Sequence, residues 1–171
     1  QGDYYMRIKS FTYLLAALFL ATACAETMQD GGAGQGSGGN QQAASSVKPG
    51  TGRDFVVNVG DRVFFEFDKS SLSSDARGQL EKQAAWLKKF GSVSLTLEGH
   101  ADERGTREYN LALGERRANS AKDFLVALGI APNRIRVISY GKERPAALGQ
   151  NEAAWRQNRR AVTIVAGGSG S

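Results

Sequence analysis

The sequence is short of the residues from which many sites and anchors are built. It has a single cysteine, Cys24, and a single histidine, His100. One cysteine cannot form an intrachain disulfide, so any folded domain must be stabilised by its own core. The apolar run "FTYLLAALFLATA", residues 11–23, is well short of the roughly 20 residues that a membrane-spanning helix needs.

Charge is also scarce in net terms. There are 22 Lys and Arg against 17 Asp and Glu, which leaves a net charge of +5 over 171 residues. This mild excess does not predict nucleic acid as a partner. The 41% of hydrophobic and 23% of charged residues are typical of a folded domain, and the length allows one domain with tails.

The beginning of the chain predicts export. Arg7 and Lys9 precede the apolar run, which ends in small residues before Cys24, and "LATAC" resembles a bacterial lipobox. We therefore expect residues 1–23 to be a signal peptide, with 1–5 an upstream or extraneous addition, and Cys24 to be acylated after cleavage. The alternative is an ordinary signal peptide in which Cys24 is incidental. The tail 167–171 is predicted to be a linker.

Two segments follow Cys24. Residues 24–53 are rich in Gly, Ser, Gln and Ala and too poor in bulky apolar residues to form a core, which predicts a flexible tether. Residues 54–166 have the size and patterning of one domain.

Periodicity within 54–166 predicts alternating strands and helices. Ser73 or Ser74 can cap a helix with the apolar stripe Leu80, Ala84 and Leu87, and Val93, Leu95 and Leu97 alternate with polar residues as in a strand. The predicted strands are 62–68, 92–100, 134–141 and 159–166, and the predicted helices 73–91, 106–128 and 151–157. This β-α-β-α-β-α-β order indicates an α/β fold with helices laid against a sheet.

Charge concentrates in "GHADERGTREYNLALGERRA", residues 99–118. Glu98, His100 and Asp102 alternate as metal ligands on one strand face would, but no second histidine or cysteine lies nearby. Acid–base catalysis would need two carboxyls with separated pKa values, whereas the arginines here would keep acids ionised. A solvated loop and helix start, or a receptor for a ligand with both charges, remain as alternatives. Asn110, Leu113 and Arg117 share one helical face.

Four stretches carry a family resemblance: "FEFDKSSL" at 65–72, "GHADERGTREYNLALGERRA" at 99–118, "ISYGKERP" at 138–145 and "NRRAV" at 158–162. Together they resemble the peptidoglycan-associated lipoproteins of Gram-negative envelopes, within the wider family of OmpA-like peptidoglycan-binding domains. The resemblance implies an α+β sandwich with helices on one mixed sheet. It also implies a binding module without cofactor, metal or enzymatic activity; an envelope hydrolase using Glu98 or Asp102 is the enzymatic alternative.

The resemblance further implies the ligand, the peptidoglycan stem peptide at its meso-diaminopimelate residue. Asp102 would accept from the ligand's ammonium and Arg117 would meet its carboxylate. Phe67 and Leu113 are implied as apolar walls, and Asp68, Arg104 and Asn110 as polar contacts. The implied setting is the outer membrane with the domain in the periplasm, as part of the Tol system with TolB as partner. A TolB-binding module whose charged face serves the partner instead of peptidoglycan is the alternative.

Overall fold

The computed structural model describes residues 47–166. The predicted signal peptide, Cys24, most of the predicted tether and the tail 167–171 lie outside this range. Within it, a short helical turn α1 (Gly52–Asp54) leads through residues Phe55–Val59 into strand β1 (Arg62–Phe64). The remaining elements are α2 (Ser74–Lys89), β2 (Ser94–His100), α3 (Arg107–Ala127), β3 (Ile135–Gly141), α4 (Glu152–Asn158) and β4 (Arg160–Ala166).

The four strands form one mixed sheet in the order β1-β4-β2-β3. Strand β4 runs antiparallel to both β1 and β2, and β3 runs parallel to β2. The predicted α/β order with helices on a mixed sheet is thereby confirmed. The last strand, β4, lies in the interior of the sheet between β1 and β2, so the first and last strands of the domain pair directly.

Helix starts agree with the residues that predicted them. The side chain of Ser73 accepts from the backbone N–H of Ala76, Thr106 does the same for Tyr109, and Asn151 for Ala154. Such caps satisfy backbone donors that have no partner in the first turn. The three main helices therefore begin where local side-chain chemistry favours it.

The core lies between the sheet and helices α2 and α3. Leu80, Leu87, Leu95, Leu97 and Leu125 are all buried to within 2% of complete exclusion from solvent. The predicted stripe of α2 is confirmed, whereas in α3 the buried face also includes polar Asn110 and Arg117. Burial of an unpaired charge is costly, so the buried Arg117 must have polar partners that compensate for its loss of solvent.

Helix α3 meets β2 at two glycines. A methyl group built on Gly99 would lie 1.8 Å from the carbonyl oxygen of Gly114, and one on Gly114 would lie 2.4 Å from Oγ of Ser139. No side chain fits between these backbones. The close approach fixes the distance between the end of β2 and the middle of α3, which are the two elements that carry the charged residues.

Two boundaries differ from the predictions by more than two residues. Strand β1 ends at Phe64 and not at residue 68, because the chain turns at 67–68, where Asp68 has φ +57° and the Lys69 N–H donates to Glu66 at 3.2 Å. Ordered contacts also begin before residue 54, since Asp54 accepts from the backbone N–H of Gly50 at 2.8 Å and from the Trp86 indole at 2.8 Å. Among residues 47–166, the helices are too short or too polar to cross a bilayer.

Candidate functional site

A cleft of about 190 Å³ opens between the turn after β1, the loop after β2 and the first half of α3. It is smaller than the roughly 300–1,000 Å³ of pockets that enclose whole drug-sized ligands. The seven predicted ligand-binding residues all line it, together with two that were not predicted, and the full set is Phe67, Asp68, Asp102, Arg104, Gly105, Tyr109, Asn110, Leu113 and Arg117. The structure thus brings together residues that are up to 50 positions apart in the chain.

Asp102 is a buried carboxylate, 4% exposed, and it is already paired. Its Oδ2 accepts from Arg104 Nη2 at 2.6 Å and from Arg159 Nη1 at 3.3 Å, and its Oδ1 accepts from the Arg104 backbone N–H and Nε at 3.1 Å each. Burial alone raises the pKa of the Asp102 carboxyl, but the hydrogen bonds from the two arginines and the charge of Arg104 outweigh it and leave the pKa below its ordinary value. Asp102 is therefore a permanent anion in the cleft.

Arg117 is the most buried charged side chain of the cleft, with 0% exposure. Its Nε donates to the carbonyl of Lys69 at 2.8 Å, Nη1 to that of His100 at 2.9 Å and Nη2 to that of Glu66 at 3.1 Å. A guanidinium has five N–H groups, so one on Nη1 and one on Nη2 remain. Arg117 thus fastens the turn after β1 to the end of β2, which the family resemblance did not imply.

Arg117 has no carboxylate of the described residues within 4.0 Å. Burial lowers its pKa to about 10, and the more distant Asp102 and Asp68 offset this only in part. A buried guanidinium that has free N–H groups and no neighbouring carboxylate can bind the anionic group of a ligand. The side of Arg117 that lines the cleft is therefore a candidate carboxylate site.

Arg104 spans the mouth of the cleft. Its guanidinium carbon lies 4.1 Å from the centre of the Phe67 ring and 3.9 Å from the Trp155 ring, so the charge is stacked between two aromatic faces. Trp155 belongs to α4, and its indole N–H donates to Glu103 at 3.1 Å. A helix whose role was not predicted therefore contacts Arg104 from outside the set of residues that line the cleft.

The loop that carries Asp102 is held from several directions. The side-chain amide of Asn110 donates to the carbonyl of Arg104 at 2.8 Å, and Lys142 Nζ donates to the carbonyl of Gly105 at 2.7 Å. Asn110 is 2% exposed, so it shapes the loop as well as lining the cleft. Gly105 has φ +90°, a conformation that favours glycine.

Asp68 and Tyr109 close the remaining side. The Tyr109 hydroxyl donates to Asp68, which raises the pKa of the tyrosine above its ordinary value. Phe67 and Tyr109 are 56% and 46% exposed, so the rim of the cleft is aromatic and accessible. Tyr109 lies one residue before Asn110 in the predicted helix, and the face assigned to that helix was too narrow to include it.

The metal interpretation of Glu98, His100 and Asp102 has no support in residues 47–166, where no group of three potential ligands is found. His100 lies on the other side of the sheet from α3, stacked on Tyr140 at 5.7 Å between ring centres. Its ring nitrogens lack hydrogen-bond partners, and burial followed by the charges of Arg160 and Arg144 lowers its pKa to about 4. His100 is thus a buried neutral ring.

Comparison with known proteins places this geometry in a family. Residues 64–159 match the model of the OmpA family, and the chain belongs to that family and, within it, to the group of peptidoglycan-associated lipoproteins. The chain is 50% identical over 151 residues to the "Peptidoglycan-associated lipoprotein" of Brucella melitensis, covering 88% of this chain and 90% of the relative. It is 56% identical over 128 residues to that of Rhizobium meliloti, covering 75% and 72%.

A solved structure agrees with these relatives. The crystal structure of the peptidoglycan-associated lipoprotein from Burkholderia pseudomallei superimposes with a TM-score of 0.60 at 41% identity, over 61% of this chain and 89% of that one. These relatives are named for an association with peptidoglycan and not for an enzymatic reaction.

Proposed function

We propose that this protein binds the stem peptide of peptidoglycan without covalent attachment, at the zwitterionic end of meso-diaminopimelate. The observation that carries the proposal is that Asp102 and Arg117 line one small cleft without forming a salt bridge with each other. One supplies a permanent carboxylate and the other a buried guanidinium with two remaining N–H groups and no carboxylate within 4.0 Å among the described residues.

The far end of meso-diaminopimelate carries an ammonium and a carboxylate on the same carbon. In the proposed complex its carboxylate accepts from the two remaining N–H groups of Arg117, and its ammonium donates to Asp102. Hydrogen bonds to charged groups each contribute about 1.5–3 kcal/mol. Phe67 and Leu113 would contact the aliphatic chain of the ligand, and Asp68 and Tyr109 would border its entry.

Co-sedimentation with purified sacculi tests this function. We expect Asp102→Asn, which keeps the shape of the side chain but removes its charge, to leave the protein in the supernatant. Asp123→Asn, an exposed aspartate of the same helix as Arg117, is the matched control and should pellet like the unmodified protein. Thermal unfolding of both variants separates loss of binding from loss of fold; equal pelleting of the two variants would refute the role of Asp102.

The setting of the domain is part of the same proposal. Removal of residues 1–23 and acylation of Cys24 would anchor the protein in the outer membrane, and a tether over residues 24–53 would let the domain reach the cell wall in the periplasm. Anchoring at one end and binding a polymer at the other raise the effective concentration, so modest affinity for one peptide suffices. Mass spectrometry of the mature terminus, with Cys24→Ser as the unacylated control, tests the anchor.

The partner proposal rests on family resemblance. A role in the Tol system, with TolB as a protein partner in envelope integrity and cell division, is consistent with the exposed aromatic rim of Phe67 and Tyr109. Tyr109→Ser should weaken binding of purified TolB if the rim is the contact. If TolB binds and sacculi do not, the charged cleft serves the protein partner instead of peptidoglycan.

A further inference from the structure

Asp102 is held by two arginines that differ in how firmly they are fixed. The side chain of Arg159 is 2% exposed and has three anchors. Its Nε donates to the carbonyl of Phe65 at 3.1 Å, Nη2 to Glu152 at 2.5 Å and Nη1 to Asp102 at 3.3 Å. Arg159 cannot leave Asp102 without abandoning a second carboxylate and a buried carbonyl, so it is a fixed counter-ion.

Arg104 is bound in a different way. Its side chain is 32% exposed, and the hydrogen bonds of its guanidinium go to Asp102 alone. That guanidinium also lies over the faces of Phe67 and Trp155, at 4.1 and 3.9 Å from the ring centres. Arg104 is therefore the more exposed and the less anchored of the two arginines.

This difference matters because both oxygens of Asp102 are occupied. Oδ1 accepts from Arg104 Nε at 3.1 Å, and Oδ2 accepts from Arg104 Nη2 at 2.6 Å on the cleft side. A ligand ammonium that approaches Asp102 from the cleft needs the position that Arg104 now holds. Arg159 is buried and does not line the cleft, and its hydrogen bond to the same carboxylate helps to keep that group ionised.

We propose that Arg104 is an exchangeable resident cation that the ligand's ammonium displaces from Asp102. The inference rests on the proposed function and makes Arg104 a specificity-determining residue of that site. A ligand with a carboxylate but no ammonium can bind Arg117 but cannot replace Arg104 at Asp102. The salt bridge between Arg104 and Asp102 then stays intact. A ligand with both charges exchanges one cation for another, and Asp102 is never left unpaired.

Guanidinium NMR on the full-length chain in mild detergent tests the exchange directly. The probes are the tripeptide L-Ala-γ-D-Glu-meso-diaminopimelate and the same tripeptide with 2-aminopimelate, which keeps the distal carboxylate and lacks the distal ammonium. With the first probe we expect the Nε–H signal of Arg104 to move and that of Arg159 to stay. With the second probe both signals should stay.

The outcomes separate this inference from the function on which it rests. If the first tripeptide shifts the backbone amides of Leu113 and Arg117 but leaves the Arg104 Nε–H unchanged, the exchange is refuted and the binding function stands. If that tripeptide binds nowhere, both are refuted.

A variant gives an independent reading. Removing a resident competitor raises the apparent affinity by the inverse of the fraction of time that the site is open. We expect Arg104→Gln to bind the meso-diaminopimelate tripeptide about fivefold to tenfold more tightly, and to increase the preference for this tripeptide over the 2-aminopimelate tripeptide. Arg107→Gln, an exposed arginine of the same loop and helix start, is the matched control and should change neither affinity. Weaker binding by Arg104→Gln would contradict the exchange.

Discussion

Asp102 and Arg117 enter the same cleft from different elements and do not form a salt bridge with each other. Asp102 follows β2 and is paired with Arg104 and Arg159, whereas Arg117 projects from the middle of α3 and donates to three backbone carbonyls. Opposite charges that are held near one another without pairing leave room for a ligand that carries the complementary charges.

The three carbonyl bonds of Arg117 give the residue a structural role that can be measured. Arg117→Lys cannot reproduce the planar fork and leaves two of the carbonyls without a donor, at about 1–3 kcal/mol for each buried group. We expect the free energy of unfolding to fall by about 2–6 kcal/mol in chemical denaturation. Its neighbour Arg116, which is exposed on the same helix, is the control, and Arg116→Lys should change stability by less than about 0.5 kcal/mol. Equal stability of the two variants would show that the carbonyl bonds are dispensable.

The contact of Gly99 with Gly114 makes a second prediction. Gly99→Ala places a methyl group 1.8 Å from a backbone oxygen, so α3 must move away from β2. Overpacking of this kind costs at least about 2–3 kcal/mol. Gly78→Ala in α2 is the control, because a methyl group there meets nothing within 4 Å. That variant should gain about 0.5–1 kcal/mol, since alanine favours a helix interior over glycine.

Thermal unfolding measures both effects, a lower midpoint temperature for Gly99→Ala and a higher one for Gly78→Ala. If Gly99→Ala were as stable as the unmodified protein, the close packing of α3 on the sheet would be wrong.

The buried ring of His100 predicts a pH dependence of stability. Its pKa is lowered to about 4, against 6.5 for an exposed histidine, because burial and the nearby Arg160 and Arg144 disfavour the charged form. Between pH 6.5 and pH 4, His100 is protonated in the unfolded chain and neutral in the folded chain. Stability is therefore complete above pH 6.5 and falls as the pH drops toward 4, by about 3 kcal/mol in total.

The chain has one histidine, so the interval from pH 6.5 to 5 isolates this residue. Glu98 lies 3.7 Å from the ring, and Tyr140 stacks on it at 5.7 Å between ring centres. Denaturation of His100→Phe over this interval should show a flat profile. A slope that persists in the variant would assign the effect to another group.

Much of this architecture could be predicted from short-range patterns. The capping side chains of Ser73, Thr106 and Asn151 indicate where helices begin. The alternation of Leu95 and Leu97 with polar residues indicates a strand with one buried face. The end of β1 could not be predicted from local sequence. The turn at Asp68 is stabilised by hydrogen bonds from Arg117, 49 residues later, to the backbone carbonyls on either side of the turn.

The site divides in the same way. Its charged residues cluster in one stretch and carry a family pattern, so the cleft could be predicted. Arg159 and Trp155 could not, since their contacts with Asp102 and Arg104 join residues more than 50 positions apart through the return of β4 to the centre of the sheet. Nothing in the local sequence of α4 indicates that it borders a ligand site.

The central claim is that two opposite charges recognise one zwitterionic carbon, and a calorimetric titration with three tripeptides tests it most directly. The ligands share L-Ala-γ-D-Glu and end in meso-diaminopimelate, in L-Lys, which lacks the distal carboxylate, or in 2-aminopimelate, which lacks the distal ammonium. Loss of either charged contact costs about 1.5–3 kcal/mol, so each truncated ligand should bind roughly 10- to 100-fold more weakly. Equal affinities for the three ligands would contradict the account.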